Sequence, residues 1–154
     1  MSTIEVGKKA PAFTLDGTGG KWSLKDADGA AVVLYFYPKD NTSGCTQEGL
    51  DFAALNSQFK KAKAVVLGVS PDPLASHEKF KAKMAFPFEL LSDPDQKVCN
   101  LFGVYKEKSM YGRKYMGVER STFVIDAKGV VRHEWRKVKV KGHAETVLAA
   151  VKEL

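Results

Sequence analysis

The chain has only two cysteines, Cys45 and Cys99, and no Cys-x-x-Cys spacing. That absence excludes a zinc ribbon and the usual dithiol oxidoreductase motif together. The three histidines, His77, His133 and His143, lie too far apart for ligand spacing, so no metal and no cofactor are expected. Long hydrophobic runs are missing as well. The longest, Ala30 to Tyr37, has eight residues, against about 20 for a membrane span. The stretch Met1 to Lys8 carries neither an apolar core nor a small-residue cleavage site, so no signal peptide is expected. Two cysteines without an export signal read as thiols of a reducing compartment, the cytoplasm, where the sequon Asn41-Thr42-Ser43 stays unused. No repeat, low-complexity tract or linker breaks the 154 residues, which predicts one domain over 1–154.

Charge is in excess of one sign, 24 basic against 18 acidic residues, or +6. The lysines are dispersed, however. In the densest stretch, Arg136 to Lys141, they alternate with valine, so that Lys137, Lys139 and Lys141 share one strand face and Val138 and Val140 the other. Such a face most often protects a solvated sheet edge, and no nucleic-acid partner is expected.

What is present reads as alternating strands and helices. Pro11 to Leu15 and Lys21 to Leu24 flank a glycine-rich turn, Asp16 to Gly20, as a hairpin. Ala31 to Tyr37 and Ala64 to Ser70 are apolar and β-branched, the mark of strands buried on both faces. Between them Cys45 to about Lys60 predicts a helix with Leu50, Ala54, Phe52, Leu55 and Phe59 inward, hence a parallel, right-handed βαβ unit. Asp72-Pro73 predicts a helix N-cap and first turn, running towards Met84, and Asp93-Pro94 repeats that signal ahead of Cys99, with Gly103 as the stop. Arg120 to Ile125 and Val130 to Trp135 form a second hairpin around Asp126 to Gly129. A last helix from about His143 buries Val147, Leu148, Val151 and Leu154. The order predicts an α/β, thioredoxin-like fold with a central mixed β-sheet flanked by helices.

The chemistry concentrates in Tyr37 to Glu48, which joins the C-terminal end of a buried strand to a helix start, where open α/β sheets bind ligands. A cysteine in a first helical turn has free backbone N–H groups and the positive end of the dipole beside it, and both favour thiolate over thiol. The alternative is a cysteine that merely packs. Thr42 can turn its hydroxyl towards the sulfur, or simply cap the helix. Pro38 would shield the sulfur from water, or only end the strand. Gly44 permits close backbone approach, or makes a turn.

Pro38, Thr42 and Cys45, in the pattern Pro-x-x-x-Thr-x-x-Cys, resemble the active-site signature of the peroxiredoxins. The segments Tyr35 to Lys39, Gly44 to Thr46, Leu67 to Ser70, Leu90 to Asp93 and Arg120 to Asp126 are similar to the bacterioferritin comigratory protein or peroxiredoxin Q branch, from about Val6 to Val151. The resemblance implies a thiol-specific peroxidase that reduces hydrogen peroxide and organic hydroperoxides through a sulfenic acid. It puts Cys45 at the peroxidatic nucleophile, Thr42 at the hydroxyl partner, Pro38 at the shielding proline, Arg120 at the active-site arginine and Glu48 at a glutamate that orients the site.

Two departures stand out. Ser43 occupies a position where the family usually has proline, which implies a less rigid loop. The usual positions of the resolving cysteine hold Leu50 and, by local alignment, Lys81, and neither can form a disulfide. Cys99 remains as a possible resolving thiol, although packing beside Val98 and Leu101 is the expected role. The resulting expectation is a one-cysteine enzyme recycled by an external thiol of the thioredoxin, glutaredoxin or glutathione type, a monomer or at most a weak dimer. Its rivals are a two-cysteine enzyme resolving through Cys99 and a non-catalytic thiol redox sensor. Met84, Met110 and Met116 are expected to pack. Phe86, Pro87, Phe88, Tyr105 and Tyr111 are expected either in the core or as an apolar rim for organic peroxides.

Overall fold

The computed structural model describes residues 4–154, so the first three residues of the stretch read for a signal peptide lie outside the described residues. Strands β1 (Thr14–Gly17) and β2 (Trp22–Ser23) pair antiparallel, as the first hairpin requires. β3 (Ala31–Phe36), α1 (Ser43–Lys61) and β4 (Ala64–Ser70) form the parallel βαβ unit, in register from Ala31 opposite Ala64 to Phe36 opposite Val69. α2 (Leu74–Met84) leads to β5 (Glu89–Ser92), parallel to β4, and α3 (Lys97–Leu101) follows. β6 (Tyr105–Met110) and β7 (Arg113–Val118) make a separate hairpin. β8 (Ser121–Ile125) and β9 (Val131–Trp135) return antiparallel beside β3, and α4 (His143–Lys152) closes the chain. The mixed sheet runs β2-β1-β5-β4-β3-β8-β9.

Every residue of β3 is buried, and alternation along it divides the core in two. Val33, Tyr35 and the following Tyr37 face a cluster with Phe52 and Phe59 of α1, Phe80 of α2 and Val147 and Val151 of α4. Val32, Leu34 and Phe36 face the opposite cluster, with Val98 and Cys99 of α3, Phe102 and Phe123. A register slip of one residue would exchange the two sets, so the pairing is strongly specified. Cys45 belongs to the first cluster and Cys99 to the second.

Several expectations are corrected. α1 buries Cys45, Glu48, Gly49, Phe52, Asn56 and Phe59, while Leu50 and Ala54 are exposed. Its inward stripe contains a carboxylate and an amide, which a reading by hydrophobicity passes over. Gly49 is inward because a Cβ there would lie 2.4 Å from the Phe86 ring. The cap of α2 is Pro73, and the Asp72 carboxylate instead accepts from Ser70 Oγ at 2.6 Å and Asp40 N at 2.8 Å. α3 begins at Lys97, later than Asp93-Pro94, because the Asp93 carboxylate reaches forward to accept from the amides of Val98 (3.2 Å) and Cys99 (2.8 Å). Its stop is as expected: Gly103 has φ +66°, and Val104 N donates to Cys99 O and Gly103 N to Asn100 O, a Schellman pairing.

Arg136 to Lys141 is no strand. Arg136 turns in to donate to the carbonyls of Phe102 (3.0 Å) and Gly103 (2.9 Å), and Lys137 takes φ +51°, which breaks the extended path. Leu154 is exposed, as are Met110, Met116 and Tyr111, the last at 98%. Tyr111 and Gly112, with φ +52° and +77°, form the two-residue turn of the β6–β7 hairpin, which the sequence pattern did not announce. Phe86 and Phe88 are core and Pro87 is exposed. Among the described residues no helix is long and apolar enough to cross a membrane.

Candidate active site

β3 ends at Phe36 and α1 starts at Ser43, so Cys45 lies in the first turn of a long helix at the C-terminal edge of the sheet. Its side chain is buried, at 2% exposure, and unpaired to another cysteine. Thr42 occupies the N-cap position but makes no side-chain cap. The first intrahelical bond is Thr46 N to Thr42 O, at 2.9 Å. The amides of Ser43, Gly44 and Cys45 precede it, and the uncapped turn leaves them for an anion.

Thr42 differs from expectation in direction. Its hydroxyl donates to Lys39 O at 2.9 Å, so its single hydrogen is committed to the loop and not to the sulfur. The oxygen lone pairs remain as acceptors. Pro38 is half-buried at the head of that loop.

Arg120, immediately before β8, bridges the site. Its Nη2 lies 3.4 Å from Cys45 Sγ, and its Nη1 lies 2.6 Å from Glu48 Oε1. Gly44 makes this approach possible, because a Cβ there would stand 3.1 Å from Arg120 Nη2. Burial works against the arginine's charge, yet Glu48 and Cys45 together raise its pKa above the ordinary value. Glu48 is buried at 1% exposure, and its Oε2 has no hydrogen-bond partner among the described residues. Burial pushes its carboxyl up to about 7 although Arg120 pulls the other way.

A second set of side chains holds the loop from behind, and the sequence pattern did not single it out. Asp40 accepts from Tyr37 Oη, Ser76 Oγ and His77 Nδ1, each at 2.7 Å, and His77 Nε2 lies 2.9 Å from Leu91 O. Burial opposes the Asp40 carboxylate, but the bonds from His77, Tyr37 and Ser76 bring its pKa below the usual range. These buried contacts tie the loop to α2 and β5. Asp40, Asp72 and His77 lie close enough together to suggest a metal cluster. However, their facing atoms are engaged with one another and with Ser70, Ser76 and Tyr37.

The other expected residues stay apart from this site. Cys99 is fully buried on the opposite face of the sheet, and burial together with Asp93 pushes its thiol far above the ordinary range. Lys81 pairs with Glu89, which also accepts from Thr18 Oγ1 at 2.9 Å, and Leu50 faces outward. A cavity of about 810 Å3, lined by Lys61, Lys63, Lys128 and Val151, lies at the other end of β3 and touches none of these groups.

A buried cysteine at an uncapped helix start, with a guanidinium 3.4 Å from its sulfur, is an arrangement that can hold a thiolate beside an anion site. Residues 6–134 match the AhpC/TSA family. The chain is 52% identical over 147 residues to peroxiredoxin Bcp of Xanthomonas campestris, covering 92% of each, and 48% identical over 153 residues to that of Bacillus subtilis, covering 99% and 98%. Among solved structures it is similar to Xanthomonas campestris peroxiredoxin Q, with a TM-score of 0.87, 52% identity and coverage of 92% and 90%. It is also similar to that organism's bacterioferritin comigratory protein, studied for alkyl peroxide reduction through trapped intermediate and ligand complexes. There the TM-score is 0.89, with 49% identity and coverage of 97% and 98%. The chain therefore belongs to the AhpC/TSA family, within it to the bacterioferritin comigratory protein or peroxiredoxin Q branch of the peroxiredoxins, which are thiol-dependent peroxidases. Its fold is thioredoxin-like, and its substrates are a peroxide and a thiol reductant.

Proposed function

We propose that Cys45 is the peroxidatic nucleophile of a one-cysteine peroxiredoxin that reduces hydrogen peroxide and organic hydroperoxides. The observation that carries this reading is Arg120 Nη2 at 3.4 Å from a sulfur in an uncapped helical turn. The thiolate attacks one peroxide oxygen in line, the O–O bond breaks, and the other oxygen leaves as hydroxide or alkoxide. Negative charge spreads over sulfur and both oxygens. Arg120 and the first-turn amides of Gly44 and Cys45 are fixed donors for that charge. Thr42, whose hydrogen is spent on Lys39 O, receives the peroxide O–H instead, and Pro38 covers the loop.

The product is a sulfenic acid on Cys45, which an external thiol of the thioredoxin, glutaredoxin or glutathione type converts to a mixed disulfide and then back to thiol. The position of Cys99 in the opposite core cluster and the Lys81–Glu89 pair favour this route over an internal disulfide. We place the protein in the cytoplasm, acting as a single domain over 1–154 and as a monomer or weak dimer. No metal, cofactor or nucleic acid enters the scheme. In a peroxide-consumption assay with dithiothreitol as reductant, Cys45→Ser should lose all turnover while its circular dichroism stays that of the wild type. Retained turnover would remove Cys45 from its role. A single stoichiometric oxidation in the wild type, without turnover, would make the protein a redox sensor.

A further inference from the structure

One guanidinium in this pocket faces two groups that can each become an anion. Arg120 Nη1 is bonded to Glu48 Oε1 and Nη2 to Cys45 Sγ, while Glu48 Oε2 is buried with nothing among the described residues to accept from. The other ionisable groups nearby do not cancel this imbalance. Tyr35 of β3 is held neutral by burial and by Glu48, and His143 of α4, lowered to about 4 by burial and Arg120, is neutral. Asp51, one turn further along α1, adds negative charge on the Glu48 side. On the Arg120 side, Lys108 of β6 adds a cation weakened by partial burial and by Arg120 itself. Its stem lies over Gly117, whose Cβ would stand 3.3 Å from Lys108 Cδ, which turns it towards the hairpin base.

Two anions against the one guanidinium, with a carboxylate oxygen unsatisfied in the interior, is the costly state; one proton shared between them relieves it. We propose that Glu48 is the proton holder of the pocket: in the reactive enzyme the thiol proton of Cys45 resides on Glu48 Oε2, so that the Arg120 charge is committed to the thiolate. The S–H bond of Cys45 breaks, the O–H bond of Glu48 forms, and the net charge of the pocket is unchanged. The upward shift of Glu48 towards 7 agrees with this assignment. Above that range Glu48 ionises and competes with the sulfur for Arg120. Glu48 holds the proton that Cys45 gives up and so leaves Arg120 to the thiolate, and the proposal rests on Cys45 being the nucleophile.

The test is the second-order rate of sulfenic acid formation, followed by stopped flow with hydrogen peroxide between about pH 6 and pH 9, in wild type and Glu48→Gln. The glutamine keeps an oxygen for Arg120 Nη1 but never carries charge. We expect the wild-type rate to fall on the alkaline side of neutrality and the Glu48→Gln rate to lose that fall, with a larger thiolate fraction by ultraviolet absorbance at neutral pH. Parallel profiles, with the variant lower throughout, would mean that Glu48 only orients Arg120 and would overturn the proposal. Should Glu48→Gln not fold, infrared spectra of the folded wild type and Cys45→Ser give the answer. A protonated-carboxyl band is expected in the wild type, titrating about one unit or more lower once the sulfur is gone. An identical midpoint in both would contradict a shared proton. No sulfenic acid at Cys45 in the wild type would instead sink the assignment of the nucleophile and leave the infrared comparison to judge the proton.

Discussion

Cys45 and Cys99 sit on opposite faces of one sheet, both buried and both near a helix start, yet their surroundings push them towards opposite chemistries. Cys45 has a guanidinium on its sulfur and an uncapped nineteen-residue helix behind it. Cys99 has a carboxylate instead: Asp93 takes its backbone amide and, after burial, adds to the rise of its thiol, in a five-residue helix. The difference lies in the sign of the nearest fixed charge rather than in exposure. Burial and Asp93 both work against thiolate at Cys99, whereas Arg120 sets a cation beside Cys45.

The comparison breaks most sharply at Arg120. Arg120→Ala leaves Cys45 with helix amides alone, and sulfenic acid formation should slow by about 10²–10³-fold, with a smaller thiolate fraction. Stopped-flow kinetics with hydrogen peroxide measures it, and a loss below about threefold would show that the amides carry the stabilisation without the arginine. A smaller effect is expected behind the loop. His77→Gln removes one partner of the buried Asp40 pair, so the segment 38–42 should lose its fixed geometry and the rate should drop by roughly tenfold. Urea unfolding at the same pH separates that effect from global destabilisation. An unchanged rate in a destabilised protein would make the network purely structural.

Local rules made the βαβ unit and the helix-start position of Cys45 legible, through apolar runs and a first helical turn, whereas Arg120 entered only through the family resemblance. The Asp40–His77 pair was hidden because its members are 37 positions apart and each has an ordinary local role. The same holds for Asp72, whose Asp-Pro signal points to a cap while Ser70 and Asp40 take its carboxylate; Asp93 does reach helix amides, but those of Val98 and Cys99 further along. The direction of the Thr42 hydroxyl is not legible in the sequence, since it depends on the path of the Lys39 carbonyl. The β6–β7 hairpin escaped because its strands are polar and exposed, with little hydrophobic alternation to mark them.

The smallest effect belongs to the other cysteine. Cys99→Ser keeps a donor for Asp93 at similar volume, and turnover with an external thiol should stay within about twofold of the wild type, with a stability loss of about 1 kcal/mol read by urea unfolding. A large drop in turnover would bring Cys99 back as a resolving thiol.

Both sulfurs can be read in one experiment. The reduced protein is treated with one equivalent of hydrogen peroxide in the presence of dimedone, digested without reduction and examined by mass spectrometry. The account predicts the dimedone adduct on Cys45 and an unmodified thiol at Cys99. A quantitative Cys45–Cys99 disulfide, or the adduct on Cys99, would contradict it.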